Sequence, residues 1–442
     1  MVSVLYTDWQ SAFYGEILHK VYDIFLFNID KFIKICYNFH QESDVSMLKK
    51  LSILLSCMML ISLSGCASSS QNSDSGTAET ISVSSEIQSG TKESALDAVY
   101  TMKIGWNLGD TLDVCAADRD GDGKVNEHPA DGQQVDETLW GNVMTTPELF
   151  KHLKADGINA VRIPVTWRDH LGDAPDYQIN PDWLARVHEV VDYAIAQDMY
   201  VLLNVHHDGG GDPQFGAWIR NASSDYQGTA EKYTILWAQI AESFSDYPDK
   251  LIFESMNEVG FDNMAQPRAY EILNNLNQLF VKTVRKSNPD RNLLIAGYWT
   301  DVEQTCNSLF QLPEDTEQNR LIVSVHYYTP WQFCVSDQQK VWGSAGEVRV
   351  MEANVRKLKE TFIDNNIPVI IGEYGTMKSA DTASRVYFCE MLTKRCFEAG
   401  IPCFFWDNGE EYDRTHFQWR TAGLIDALQH AVSGEDYEVT KS

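Results

Sequence analysis

Two glutamates stand at the ends of short apolar runs: Glu258 closes LIFESMNE and Glu373 closes PVIIGE. Other runs of the same kind end in Asn107 and Asp110, Arg162, His206 and His207, Tyr298 and Trp299, His326 and Tyr328, and Trp406, Asp407 and Asn408, while Asn257 directly precedes Glu258. No lysine closes a run to form a Schiff base, and no serine sits in a nucleophile elbow. His206, His207, Asp208 and His326 could be read as metal ligands. Neighbouring strand residues face opposite sides, however, so both His206 and His207 reach inward only if their strand has already ended. The expectation is therefore no catalytic metal and no cofactor. What remains is a pair of carboxylates, and two carboxyl groups flanking one bond are the apparatus of glycoside hydrolysis.

Such residues need a frame that brings run ends together. The runs are MKIGWNL (102–108), INAVRIP (158–164), MYVLLNVH (199–206), LIFESMN (251–257), NLLIAG (292–297), LIVSVHY (321–327), PVIIGE (368–373) and PCFFWD (402–407). Amphipathic stretches separate them. In PDWLARVHEVVDYAIAQ, Trp183, Val187, Val190, Val191 and Ala194 recur at helical spacing and make one apolar stripe. Strict alternation of strand and helix implies parallel strands, and a count of eight favours an α/β fold closed as a (β/α)8 TIM barrel. No glycine-rich phosphate fingerprint follows the first run, so a doubly wound sheet is the weaker alternative. Active sites of such barrels assemble at the C-terminal rim of the strands, where the polar residues above collect.

The pieces GWNLGDTLD, WGN, GINAVRIPVTW, YVLLNVHHD, LIFESMNE, VSVHYYTP, PVIIGEYG and FFWDNG occur in the order found in glycoside hydrolase family 5, which the chain resembles from about residue 97 to 430. The resemblance implies that Glu258 is the acid/base and Glu373 the nucleophile of a retaining endo-β-1,4-glucanase acting on cellulose-like or mixed-linkage β-glucan. Xyloglucanase, xylanase and β-mannanase are alternatives on the same scaffold, and a barrel that binds glycan without turnover is an alternative of another class. It further implies that Arg162 lies beneath Glu373, that Tyr328 donates to it, that His326 tunes Glu258, that Asn257 holds the sugar 2-hydroxyl, and that His206 and His207 bind hydroxyls or orient Glu373. Trp406 would be a stacking floor. Trp218, Trp299 and Trp331 are open between platform and core, since tryptophan serves both. Where relatives commonly read GNT this chain has GDT, so Asp110 replaces an amide with a group that only accepts hydrogen bonds when ionised. The chemistry demands a proton on Glu258, from burial or neighbouring negative charge, and a charge on Glu373, from a cation or donors.

The 442 residues hold 35 Lys and Arg against 63 Asp and Glu, a formal charge of -28, which speaks against nucleic acid as a partner. Residues 47–66 read as a secretory signal, with MLKK, an apolar run and Leu63-Ser64-Gly65-Cys66, which resembles a bacterial lipobox. Translation is expected to start at Met47, with residues 1–46 upstream of the true start. Acylated Cys66 would anchor a secreted protein to the membrane, and the Ser/Thr/Gly-rich stretch 67–94 would tether the catalytic domain of residues 95–442, expected to be a monomer. Cys306 and Cys334 could pair between loops. Asp118, Asp120, Asp122 and Gly123 match the start of an EF-hand loop, but Pro129 stands where the bidentate glutamate belongs. A single structural calcium site and a solvated acidic loop are both open readings.

Overall fold

Each apolar run is a strand, and the eight strands close on themselves in sequence order. The structure, a computed structural model, describes residues 92–116, 135–210 and 216–441. The strands are β1 (Ile104–Leu108), β2 (Ala160–Ile163), β3 (Tyr200–Asn204), β4 (Leu251–Glu254), β5 (Leu293–Asp301), β6 (Leu321–Tyr327), β7 (Val369–Tyr374) and β8 (Cys403–Asp407). All neighbours pair in parallel, and β1 pairs with β8 to complete the (β/α)8 barrel. The helix Pro181–Ile195 buries the five residues of its predicted stripe, and Asn180 caps it by accepting from the backbone N–H groups of Asp182 and Trp183. The crossover from β5 to β6 departs from the pattern: its only helix is the single turn Val302–Thr305.

Side chains of period 2 sort onto two faces of the barrel wall. Val161, Val201, Leu203, Phe253, Ile295, Val323 and Ile371 join the cluster that packs against the surrounding helices. Their strand neighbours Ala160, Leu202, Ile252, Leu294, Ile322, Ile370 and Phe404 form a second cluster inside the barrel, with Ala95, Ala98, Val99 and Met102 of and beside the helix Ala95–Thr101. That helix closes the floor. Two residues further along the same strands, the inner face changes character and presents Arg162, Asn204, Glu254, Ser324 and Gly372. The barrel thus has an apolar floor and a polar layer above it.

Three corrections to the sequence reading concern the strands and cysteines. β3 ends at Asn204 and β4 at Glu254, before their predicted ends, so His206, His207, Asn257 and Glu258 stand in the loops beyond. The condition for both histidines to face the pocket is therefore met. Cys306 and Cys334 do not pair: all six cysteines among the described residues are free. Cys334 is buried beside Cys389, whereas the Cys306 thiol bonds to Thr361, so the two look toward different elements. Cys66 and the segments 1–46 and 47–66, with nearly all of 67–94, lie outside the described residues, as do Asp118, Asp120, Asp122, Gly123 and Pro129.

Candidate active site

The polar layer is organised by one guanidinium. Arg162 is fully buried on β2 and gives its donors to four partners: Nε to Glu254 Oε2 at 2.6 Å, Nη1 to Glu373 Oε1 at 2.6 Å and to Asn107 Oδ1 at 3.0 Å, and Nη2 to Asn257 Oδ1 at 2.9 Å. Burial alone would favour the neutral form, but Glu254 and then Glu373 outweigh it and hold the group cationic. Glu254 was not anticipated as a site residue. It is fully buried and accepts also from Asn204 Nδ2 at 3.0 Å and from Ser324 Oγ at 2.8 Å.

Glu373 faces inward because β7 carries one extra residue. Val325 pairs with Ile371 but His326 pairs with Glu373, which leaves Gly372 unmatched in a bulge. In a regular strand Glu373 would share the outward side of Ile371; the bulge turns it into the pocket. Gly372 permits this, since a Cβ there would come within 2.9 Å of Ser324 Oγ, and Asn107 Nδ2 donates to its carbonyl at 3.0 Å. Glu258 is placed by a different device. Its backbone is left-handed, with φ of 44°, a region non-glycine residues rarely occupy. The loop after β3 passes so close that a Cβ on Gly210 would lie 1.9 Å from the Glu258 carbonyl oxygen.

The two glutamates meet at His326. Its Nδ1 lies 2.8 Å from Glu258 Oε1 and 3.6 Å from Glu373 Oε2, and an oxygen of each glutamate lies within 4.8 Å of the other. Tyr328 donates to Glu373 Oε2 at 3.0 Å. Burial pushes Glu373 above the ordinary glutamate range, against the pull of His326 and Arg162 and with the help of the nearby Glu258 charge. Burial also pushes Glu258 upward, but the His326 hydrogen bond and charge outweigh it, and the carboxyl lies below its ordinary value. These directions are the reverse of the expected proton on Glu258 and charge on Glu373. The cause lies in the partners: Glu258 has the His326 hydrogen bond, whereas at Glu373 burial and the nearby Glu258 charge outweigh the pull of His326 and Arg162.

Around this centre, His206 is buried with Nδ1 3.2 Å from Asn204 Nδ2, and its ring lies parallel to Trp406 at 5.8 Å. His207 packs edge-on to His206 and tilts against Trp140, a contact the sequence did not suggest. Both histidines are held neutral by burial, His207 with a pKa of about 3. Trp406 is half-buried at the end of β8. Asp110 has a left-handed backbone, and Asn142 donates to its carbonyl at 2.7 Å. Beside it Asp113 accepts from the N–H groups of Asp110 and Thr111, and its carboxyl is pushed up to about 8 by burial and by the Asp110 charge. Trp218 donates to Asp208 with Lys232 over its ring, Arg220 covers Trp299, and Trp331 is 59% exposed. Of these three, Trp331 presents the most open face.

A barrel with this rim has known counterparts. Residues 124–412 match the family described as cellulase (glycosyl hydrolase family 5). Endoglucanase B of Neocallimastix patriciarum is 36% identical over 326 residues, covering 72% of this chain; the chain in turn spans 65% of that relative's length. Among solved structures, a family 5 xyloglucanase from Paenibacillus pabuli superposes with a TM-score of 0.68 at 32% identity, over 76% of this chain and 99% of the other. The glycoside hydrolase 5 lichenase from Caldicellulosiruptor sp. F32, solved with cellotetraose, gives 0.69 at 32% identity, over 77% and 96%. With the closed barrel, the paired glutamates at its rim and these matches over most of its described length, the chain belongs to glycosyl hydrolase family 5.

Proposed function

We propose that this protein is a retaining endo-β-1,4-glucanase that cleaves internal bonds of cellulose-like or mixed-linkage β-glucan. The observation that carries the reading is the approach of Glu258 and Glu373, with an oxygen of each within 4.8 Å. Retaining enzymes hold their carboxyl groups about 5 to 5.5 Å apart, whereas inverting enzymes need about 6.5 to 9.5 Å to admit a water. Glu373 attacks the anomeric carbon while Glu258 protonates the leaving oxygen; Glu258 then takes a proton from the water that releases the sugar. Sugar in the pocket displaces water, and that loss of solvation favours the neutral, protonated carboxyl that Glu258 needs as an acid, with His326 Nδ1 orienting it at 2.8 Å. The relatives' names, endoglucanase, xyloglucanase and lichenase, support a β-1,4-linked glucan backbone as substrate.

Reducing-sugar release from carboxymethylcellulose, barley β-glucan, xyloglucan, xylan and mannan tests the substrate. Release from the glucans is expected; release from mannan alone would overturn the assignment. Glu373→Ala is expected to lower turnover at least about 1,000-fold, and wild-type activity in that variant would remove Glu373 as nucleophile. The protein acts as a monomer outside the cell, held to the membrane by lipid on Cys66. The lipobox-like Leu63-Ser64-Gly65-Cys66 supports the anchor. Cys66→Ala is expected to shift the protein from the membrane fraction to the soluble one.

A further inference from the structure

The proposed chemistry uses Glu258 and Glu373 but gives no task to the third carboxylate of this centre. Glu254 ends β4 in the polar layer, with no exposed surface, and binds Arg162 at the same 2.6 Å as Glu373 does. Its influence on Arg162 is the larger of the two. A fully buried ion pair is seldom worth more than a well-packed apolar pair, so stability alone is a poor reason to place an acid there. Its other contacts fix it without neutralising it: Asn204 Nδ2 and Ser324 Oγ are both uncharged donors.

We infer that Glu254 is a positioning residue that divides the charge of Arg162 and thereby sets how much of it reaches the attacking oxygen pair of Glu373. This inference rests on the reading of Glu373 as nucleophile. A carboxylate that owned the whole guanidinium would be a deeply stabilised anion and a sluggish nucleophile. Shared with Glu254, Arg162 still fixes Oε1 in place but leaves more charge available for attack. The titratable groups facing Glu373 are Arg162 from β2, Glu258 beyond β4, and His326 and Tyr328 from the end of β6; Arg162 in turn disfavours a charge on His206 and His207 in the loop after β3. Asn107 of β1 is the uncharged contact on the remaining side.

The test is the pH profile of kcat/KM on barley β-glucan for two variants of the full chain. Glu254→Gln gives all of Arg162 to Glu373, so the acid limb is expected to move down by about one pH unit, with a lower plateau. Ser324→Ala removes a donor from Glu254 Oε1 and leaves more of its negative charge on Arg162, so the limb should move up, by about 0.3 pH unit. Limbs that stay at the wild-type position in both variants, or move the same way, overturn the inference. If Glu254→Gln does not fold, Ser324→Ala decides alone: an upward move supports the division of charge and an unmoved limb refutes it. Glu373→Ala, run alongside, separates the two layers, because activity surviving there would sink the nucleophile assignment itself.

Discussion

Glu373 and Asp113 are both acids withdrawn from water on the same rim, 5% and 0% exposed, and burial pushes both upward, yet they are given different partners. Glu373 has a guanidinium at 2.6 Å and a phenol at 3.0 Å. Asp113 has two backbone N–H groups and a second acid, Asp110, beside it; His207 lies 4.0 Å away but is held neutral by its own burial. With no cation, Asp113 is pushed up to about 8. Burial sets the size of the electrostatic problem, and the partner chosen decides how strongly it is opposed: by a guanidinium and a phenol at Glu373, by backbone N–H groups at Asp113.

The largest break in this comparison comes from removing the cation. Arg162→Met leaves Glu254 and Glu373 buried without compensation, and loss of one partner of a buried pair typically costs about 3 to 5 kcal/mol. The variant should unfold at markedly lower denaturant and, where folded, hydrolyse glucan at least about 1,000-fold more slowly. A stable and active Arg162→Met protein would show that the polar layer does not depend on its charge. A smaller effect follows from His326→Ala, which takes away the hydrogen-bond partner that draws the Glu258 carboxyl below its ordinary value. The rate should fall about 100-fold, and the alkaline limb of the profile, which reports loss of the Glu258 proton, should move up. An alkaline limb identical to wild type would separate His326 from the acid.

The eight strands and the stripe of Pro181–Ile195 are legible because each depends on local periodicity, and Glu258, Glu373, Arg162, His326 and Tyr328 are legible because they lie at or just beyond strand ends. Glu254 is hard to single out inside LIFESMNE, where it reads as one letter of an apolar run; the signal available is a charged residue within a strand buried on both faces. Its partner lies 92 residues earlier, beyond any local pattern. The bulge at Gly372 was equally invisible, because a register shift is a property of two strands and not of one. Trp140 sits in the long connection after β1, where no periodicity marks a contact with His207. The direction of the Glu258 shift is not legible for a related reason: spacing names the neighbours of an acid but not which of them bonds to it.

The other side of the comparison can be sharpened at Asp113. Its folded value of about 8 exceeds the ordinary 3.8, so the native state binds this proton more tightly than the unfolded chain does. The stabilisation is complete below about pH 3.8 and is lost as pH rises toward 8, after which it stays lost. Asp113→Asn, which mimics the protonated acid, should flatten that decline, gaining on the order of a few kcal/mol over wild type at pH 9 and little near pH 4. Equal slopes of melting temperature against pH for the two proteins would mean that Asp113 is ionised throughout.

The smallest expected effect is at Asp110, the acid whose charge lies beside Asp113. Burial is the main reason Asp113 keeps its proton, and the Asp110 charge is the next. Asp110→Asn therefore removes only part of the upward push, and the pH at which Asp113 ionises should fall without returning to the ordinary range. At pH 9 the melting temperature should rise by about 2 °C, while at pH 4, where Asp113 is protonated in either protein, the two should coincide. The amide would also restore a donor at the rim, so KM for barley β-glucan should drop with little change in kcat, as for a contact made equally in ground and transition states. A melting gain of the same size at both pH values would assign the effect to the left-handed backbone at Asp110, where asparagine is also well tolerated, and not to the charge it places beside Asp113.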